Sequence, residues 1–290
     1  MLTSNGYVLD ERPSRLGPLP PVPADDRRSR NALHARLAEH GYLYLPQQID
    51  PQVVLAFRRH YFATLADTGL LSRDRDPADG IAAPADQLDR AELRHRLFGE
   101  IVPGAAYQAL CSTPQIRDWF GWLLDGVVHL HRRKIIRHTR PHEHTDTRTR
   151  GIGAATQAHY DLLYLRQGSD HVLSMWIPLG PCPPELGGLV YLEGSHHWVL
   201  ADERSGAPSR PAASITADLP GLAEQHDARW LYADYAVGDV VVHTAHTVHA
   251  ALDNVDSGGR IRLSTDIRYQ LRAEPIDQRW QENWHDRDGL

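Results

Sequence analysis

A chain of 290 residues with 41% hydrophobic content, 7 Trp and 11 Tyr can bury a sizeable core, which excludes disorder as its main state. The formal net charge of −6 argues against a dedicated nucleic-acid binder, and the only cysteines, Cys111 and Cys182, exclude a disulfide scaffold and lack the spacing of a cysteine metal site. Residues 1–30 hold no apolar signal core and no run of about 18 apolar residues occurs, so a soluble cytoplasmic protein without membrane or nucleic-acid partners is expected.

Residues 1–28 carry Pro13, Pro18, Pro20, Pro21 and Pro23 and are expected to form an extended, Pro-rich arm. Residues 29–290 are expected to form one domain, with core strands over about 127–270. Leu33, Leu37 and His40 fall at helical spacing, and Gly41 stands where that helix should stop. Tyr42-Leu43-Tyr44-Leu45 reads as a short strand. A second helix begins near Asp50, with Pro51 in its first turn and Val54, Phe57, Tyr61 and Leu65 on one face. Residues 71–106 read as a polar loop, as decoration more than as a lid, with a charged helix over 89–98. A helix over 114–124 carries Trp119 and Trp122. From Val127 the chain turns to β character, with strands expected within 127–137, 171–179, 188–192, 239–243 and 260–269. Helices first and strands after, without a βα rhythm, predict an α+β, mainly β fold with a jelly-roll core and flanking N-terminal helices.

The chemistry-bearing stretch is His159-Tyr160-Asp161. On a strand, residues i and i+2 share a face, so an imidazole and a carboxylate can converge there. A metal that takes two histidines and one carboxylate then needs one more imidazole, and His243, His246 and His249 on a late strand are each able to supply it. Gly194-Ser195-His196 is expected to be a turn that fixes the sheet.

In order along the chain stand Glu39-His40-Gly41-Tyr42, His159-x-Asp161, Trp176-Ile177-Pro178-Leu179, Gly187-Gly188-Leu189-Val190-Tyr191-Leu192-Glu193-Gly194-Ser195-His196, Gly238-Asp239, His249-x4-Asn254 and Arg260-x3-Ser264. In this set the chain resembles the phytanoyl-CoA dioxygenase family of iron(II)- and 2-oxoglutarate-dependent oxygenases. The resemblance spans roughly residues 30–270 and implies a double-stranded β-helix (cupin-like) core. It also implies iron ligands His159, Asp161 and His249, the last chosen by its distance from Asp239 and from Arg260. It implies 2-oxoglutarate and O2 as cosubstrates and oxidation of a small organic molecule, plausibly in bacterial secondary metabolism such as antibiotic biosynthesis, with succinate and CO2 released. Arg260 matches the position that binds the distal carboxylate of 2-oxoglutarate. Arg262 shares its strand face, and spacing alone favours Arg260. Trp176 matches an aromatic wall beside the cosubstrate, and Ser264 a serine near the arginine. Arg137 matches an arginine able to hold a substrate or cosubstrate carboxylate. Ala251 departs from the pattern, where the family often has a serine.

The retained carboxylate of Asp161 favours hydroxylation, or another two-electron oxidation such as desaturation, cyclisation or epoxidation, over halogenation. A cupin-like metal enzyme without 2-oxoglutarate is the alternative class, and a non-catalytic binding protein the third. His142, His144, Arg148, Trp280 and Trp284 are candidates for the pocket mouth. Substrate identity and oligomeric state are not legible in the chain.

Overall fold

The computed structural model describes residues 1–143, 155–206 and 214–285. His144 and Arg148 therefore lie outside the described residues.

The residues expected to form an extended arm are built into the fold. Strands β1 (Thr3–Ser4) and β2 (Tyr7–Val8) pair with each other, and β3 (Leu16–Pro18) runs parallel to a strand more than 200 positions later, matching Leu16 to Trp230. Proline content does not prevent this, because an edge strand needs only one side of its ladder.

Helix α1 (Arg30–His40) starts at Ser29, whose side chain accepts from Ala32 N, and stops at Gly41 in the left-handed region (φ 80°). A Cβ on Gly41 would lie 2.6 Å from Thr247 Oγ1 and 2.7 Å from the His196 ring, so this close approach needs glycine. Strand β4 (Tyr42–Leu45) follows, then α2 (Pro51–Thr64) with Asp50 as its cap. Helices α3 (Arg90–Arg96), α4 (Ala105–Cys111) and α5 (Pro114–Leu124) complete the helical half. The segment before α3 is pinned at 80–82, where Ile261 N donates to Gly80 O and Ala82 N to Gly259 O.

The β half holds β5 (Val128–Leu130), β6 (Ile135–Thr139), β7 (Leu173–Pro178), β8 (Leu189–Leu192), β9 (Trp230–Tyr232), β10 (Val240–Thr244), β11 (His249–Ala251) and β12 (Arg262–Leu271). Helices α6 (Ser195–Arg204) and α7 (Leu219–Gln225) interrupt it. One sheet runs β4-β10-β7-β12-β5, with β6 also on β12, and a second runs β11-β8-β9-β3. The fold is thus mixed α and β, with two larger sheets beside the two-stranded β1–β2 pair.

Alternation along the strands divides the first sheet cleanly. Met175, Ile177, Val242 and Ile267 join Leu33, Val54, Tyr61 and Phe120 in the core under the helices. Tyr42, Tyr44, Trp176 and Val241 instead pack with Tyr191, Leu231 and Ala251 of the second sheet. The outer face of the second sheet, with Val190, Leu192 and Ala250, is covered by Val199 of α6, Leu222 of α7 and Trp280. Each fully buried large side chain here contributes roughly 1.5–3 kcal/mol. Among the described residues, no helix is long and apolar enough to cross a membrane.

Candidate active site and metal centre

His159 and Asp161 are not on one strand. His159 makes an isolated bridge with His249, Tyr160 is extended (φ −126°, ψ 147°), and Asp161 opens a 3-10 turn, Asp161–Leu163. One extended residue between them is enough to keep both side chains on the same side. The third ligand candidate arrives on β11. Its position is held by Ser195 Oγ, which accepts from Val248 N at 2.9 Å, so the Gly194-Ser195-His196 motif places His249 from behind as the start of α6.

The ligand atoms of His159, Asp161 and His249 all lie within 4.8 Å of one another, and all three residues are buried. His159 Nδ1 faces Gln157 O at 2.9 Å and His249 Nδ1 faces Thr247 O at 3.0 Å. A carbonyl can only accept, so each Nδ1 carries the hydrogen and each Nε2 keeps its lone pair for a metal. Burial depresses the pKa of both rings, for His249 well below the ordinary range with His159 and His243 adding to the effect, so they stay neutral as ligation requires. Burial alone would raise the Asp161 carboxyl. Arg268, with His243 and His249, outweighs it and holds the group well below its usual value. Two neutral imidazoles and one carboxylate fit a single divalent ion with open positions.

His243 and His246 separate. His243 is buried beside the triad, with its ring 4.4 Å from that of His249 and its Nε2 3.5 Å from Asp161 Oδ2. His246 lies across the β10–β11 turn, with Nε2 3.7 Å from Asp170 Oδ2. A surface cavity of about 450 Å³ lined by Arg166, Asp170, His171, Glu203 and Glu274 holds none of the triad, and its mixed charges mark it as a solvated hollow.

The two arginines at the start of β12 are held differently. Arg260 has a side chain 42% exposed and is engaged by Asp256, with Nε at 3.0 Å from Oδ1. Arg262 is 2% exposed and donates to Ser264 Oγ at 3.0 Å and Thr139 Oγ1 at 2.7 Å. Its Nε has no partner, and among the described residues no carboxylate is hydrogen-bonded to it. Of the two, Arg260 is the one with a carboxylate partner among the described residues. Burial lowers the pKa of Arg262, the cost of a cation kept from water. Trp176 is fully buried with an unpartnered indole nitrogen and packs against Tyr235 at 4.7 Å. Arg137 stands on β6 opposite Ser264, part-buried. Trp280 and Trp284 are buried packing residues.

Three residues here escaped the sequence reading. Arg268 donates to Asp161 through Nη2 (2.8 Å to Oδ1) and Nε (3.2 Å to Oδ2), Ser174 Oγ donates to Asp161 Oδ2, and Asp266 lies opposite Trp176. Burial raises the Asp266 carboxyl, with Arg268 and Arg137 opposing. The signal was present in β12, where Arg262, Ser264, Asp266, Arg268 and Gln270 alternate with residues that face the apolar core.

A buried 2-His-1-carboxylate set, together with the family match over most of the chain, defines a mononuclear non-haem iron oxygenase of the 2-oxoglutarate-dependent class. The phytanoyl-CoA dioxygenase (PhyH) family profile matches residues 37–262, and the chain belongs to that family. It is 24% identical over 250 residues to the 1-deoxypentalenic acid 11-beta-hydroxylase of Streptomyces exfoliatus, covering 83% of this chain and 81% of that protein. Among solved structures, the epimerase SnoN in complex with Fe3+, alpha ketoglutarate and nogalamycin RO superposes with a TM-score of 0.55 at 20% identity, covering 86% of each chain. EctD from S. alaskensis, with 2-oxoglutarate and 5-hydroxyectoine, gives 0.56 at 18% identity, covering 93% of this chain and 88% of that one.

Proposed function

We propose that this protein is an iron(II)- and 2-oxoglutarate-dependent oxygenase that hydroxylates a C–H bond of a small organic molecule in a bacterial natural-product pathway, releasing succinate and CO2. The supporting observation is the His159–Asp161–His249 donor set, bonded at Asp161 by Arg268, which shares its face of β12 with Arg262, a buried cation without a hydrogen-bonded carboxylate among the described residues. We take the facing sheets as the jelly-roll core, and residues 29–290 as its single domain.

In this reading His159, Asp161 and His249 hold the iron, which when bound supplies O2 activation and a seat for the 2-oxo acid end of the cosubstrate. Arg262, with Ser264 and Thr139, takes the distal carboxylate. A forked, permanently charged donor suits that group, and a carboxylate there would give an ionised partner to a buried guanidinium that, among the described residues, is hydrogen-bonded to the hydroxyls of Ser264 and Thr139. Arg260 has its carboxylate already in Asp256, and the role expected of it passes to Arg262. Trp176 forms a wall of the cleft, and Arg137 is placed to receive a carboxylate of the substrate or cosubstrate. The Streptomyces hydroxylase supports a natural-product substrate.

The test is succinate formation from 2-oxoglutarate with iron and ascorbate, together with calorimetric titration of Mn(II) as an inert stand-in. Metal binding should vanish in His159→Ala; binding undiminished in that variant would overturn the reading. Product mass separates the outcomes, since hydroxylation adds one oxygen atom whereas desaturation or cyclisation removes two hydrogens.

A further inference from the structure

Asp161 is gripped more tightly than a metal ligand needs to be. Its Oδ2 receives Ser174 Oγ and Arg268 Nε and lies 3.5 Å from His243 Nε2. Its Oδ1, 3.8 Å from His159 Nε2, receives Arg268 Nη2 alone among the hydrogen bonds of the described residues. An ionised carboxylate oxygen has about two acceptor directions, so Oδ1 retains one and Oδ2 is filled. Arg268 is itself held. Its Cζ lies 4.6 Å from the centre of the Trp280 ring, the Arg133 Cζ lies 4.9 Å from the same ring, and the Trp280 indole nitrogen donates to Tyr164 O at 3.2 Å.

The consequence concerns how many positions the metal keeps open. A carboxylate can bind a metal through one oxygen or both. With one, a six-coordinate ion bearing two imidazoles keeps three positions, enough for a chelating cosubstrate and O2. With both, it keeps two. For Asp161 to bind through both oxygens, Oδ2 must leave Ser174 and Arg268 Nε, and a buried guanidinium loses half of its fork.

We propose that Arg268 is a positioning residue that keeps Asp161 a one-oxygen ligand, and that Trp280 of the C-terminal turn holds Arg268 in that pose. The C-terminal segment thereby acts on the metal's coordination without touching it. This rests on the reading that the centre takes 2-oxoglutarate, and wild-type titrations test that reading separately: failure of the wild type to bind 2-oxoglutarate when loaded with Mn(II) overturns the function, not the role of Arg268.

The experiment is a pair of titrations on the full chain, Mn(II) first and then 2-oxoglutarate at saturating Mn(II) without oxygen. In Arg268→Met the 2-oxoglutarate affinity at saturating Mn(II) should fall about tenfold or more, and by clearly more than the Mn(II) affinity, which loss of the cation that keeps Asp161 ionised also lowers. Arg268→Lys, which keeps the charge but cannot span both oxygens, should give the same split more weakly and covers the case where the methionine variant does not fold. The ligand-field absorption of the Co(II)-loaded variants should differ from wild type. Unchanged 2-oxoglutarate affinity in both variants, or a parallel fall in metal and cosubstrate affinity, overturns the proposal. Trp280→Leu should reproduce part of the split and add nothing in the Arg268→Lys background, and additive effects would overturn the part assigned to Trp280.

Discussion

His159 and His249 are hydrogen-bonded to each other through their backbones, His159 N to His249 O at 3.0 Å and His249 N to His159 O at 2.9 Å. Two imidazoles far apart in the chain are thus brought to 4.3 Å between ring centres by one isolated bridge at the first residue of β11. A metal joining the two rings should stabilise that closure. Mn(II) at about 100 times its dissociation constant should add about 2.7 kcal/mol, read as a rise in melting temperature that His159→Ala abolishes. A metal-induced shift that persists in that variant would place the ion elsewhere.

The two arginines at the head of β12 give opposite expectations. Arg262→Gln should weaken 2-oxoglutarate binding by on the order of a hundredfold, the loss of a buried charge-assisted fork. Arg260→Ala breaks an ion pair whose Asp256 side is buried, so it should cost stability, and it should leave cosubstrate affinity within about twofold. Calorimetry on the Mn(II)-loaded protein reads both. The reverse ranking would return the role to Arg260.

That pair also marks how far the sequence could be read. Ser29 and Gly41 around α1, Asp50 and Pro51 before α2, and the alternation in β7, β10 and β12 are local signals, and those elements fall where they were expected. The residues alone left His243, His246 and His249 open as the third imidazole, and the resemblance singled out His249, which lies with His159 and Asp161, although the strand assumed for the first two is a bridge followed by a 3-10 turn. Arg260 and Arg262 have the same parity in the sequence, and what separates them is the contact of Arg260 with Asp256 and the burial of Arg262, neither of which periodicity encodes. The pairing of β3 with β9 and the approach of Trp280 to Arg268 are equally long-range, so no window of sequence could hold them.

Acid should destabilise the metal-free protein well before its carboxylates titrate. His131, His138 and His196 are each pushed down to about 4, by burial first, against an ordinary value of 6.5. Between those limits the unfolded chain binds protons on these rings that the folded chain does not, so stability is complete above the ordinary value and falls as pH drops toward about 4. Exposed His171, raised by Glu274, works weakly in the opposite direction. The urea midpoint with chelator present should be lower at about pH 5 than at about pH 7. His138→Gln, which keeps a polar group near Tyr61, should reduce the slope. A midpoint independent of pH would contradict the assignment of these rings as buried and neutral.

Removing the Asp161 carboxylate should cost more than the metal site. Arg268 is 6% exposed, and in Asp161→Ala its fork faces no ionised partner at that position. Stranding one member of a buried ion pair costs about 3–5 kcal/mol, and replacing both members by apolar groups of similar size returns most of it. Asp161→Ala should therefore lower the stability of the metal-free protein by about that amount in urea unfolding, and Asp161→Ala with Arg268→Met should recover the larger part. The two substitutions should couple by at least about 1 kcal/mol, since they act on one contact. Strict additivity would mean that the guanidinium draws its compensation from elsewhere, with Asp266 on the same strand face as the nearest carboxylate able to provide it.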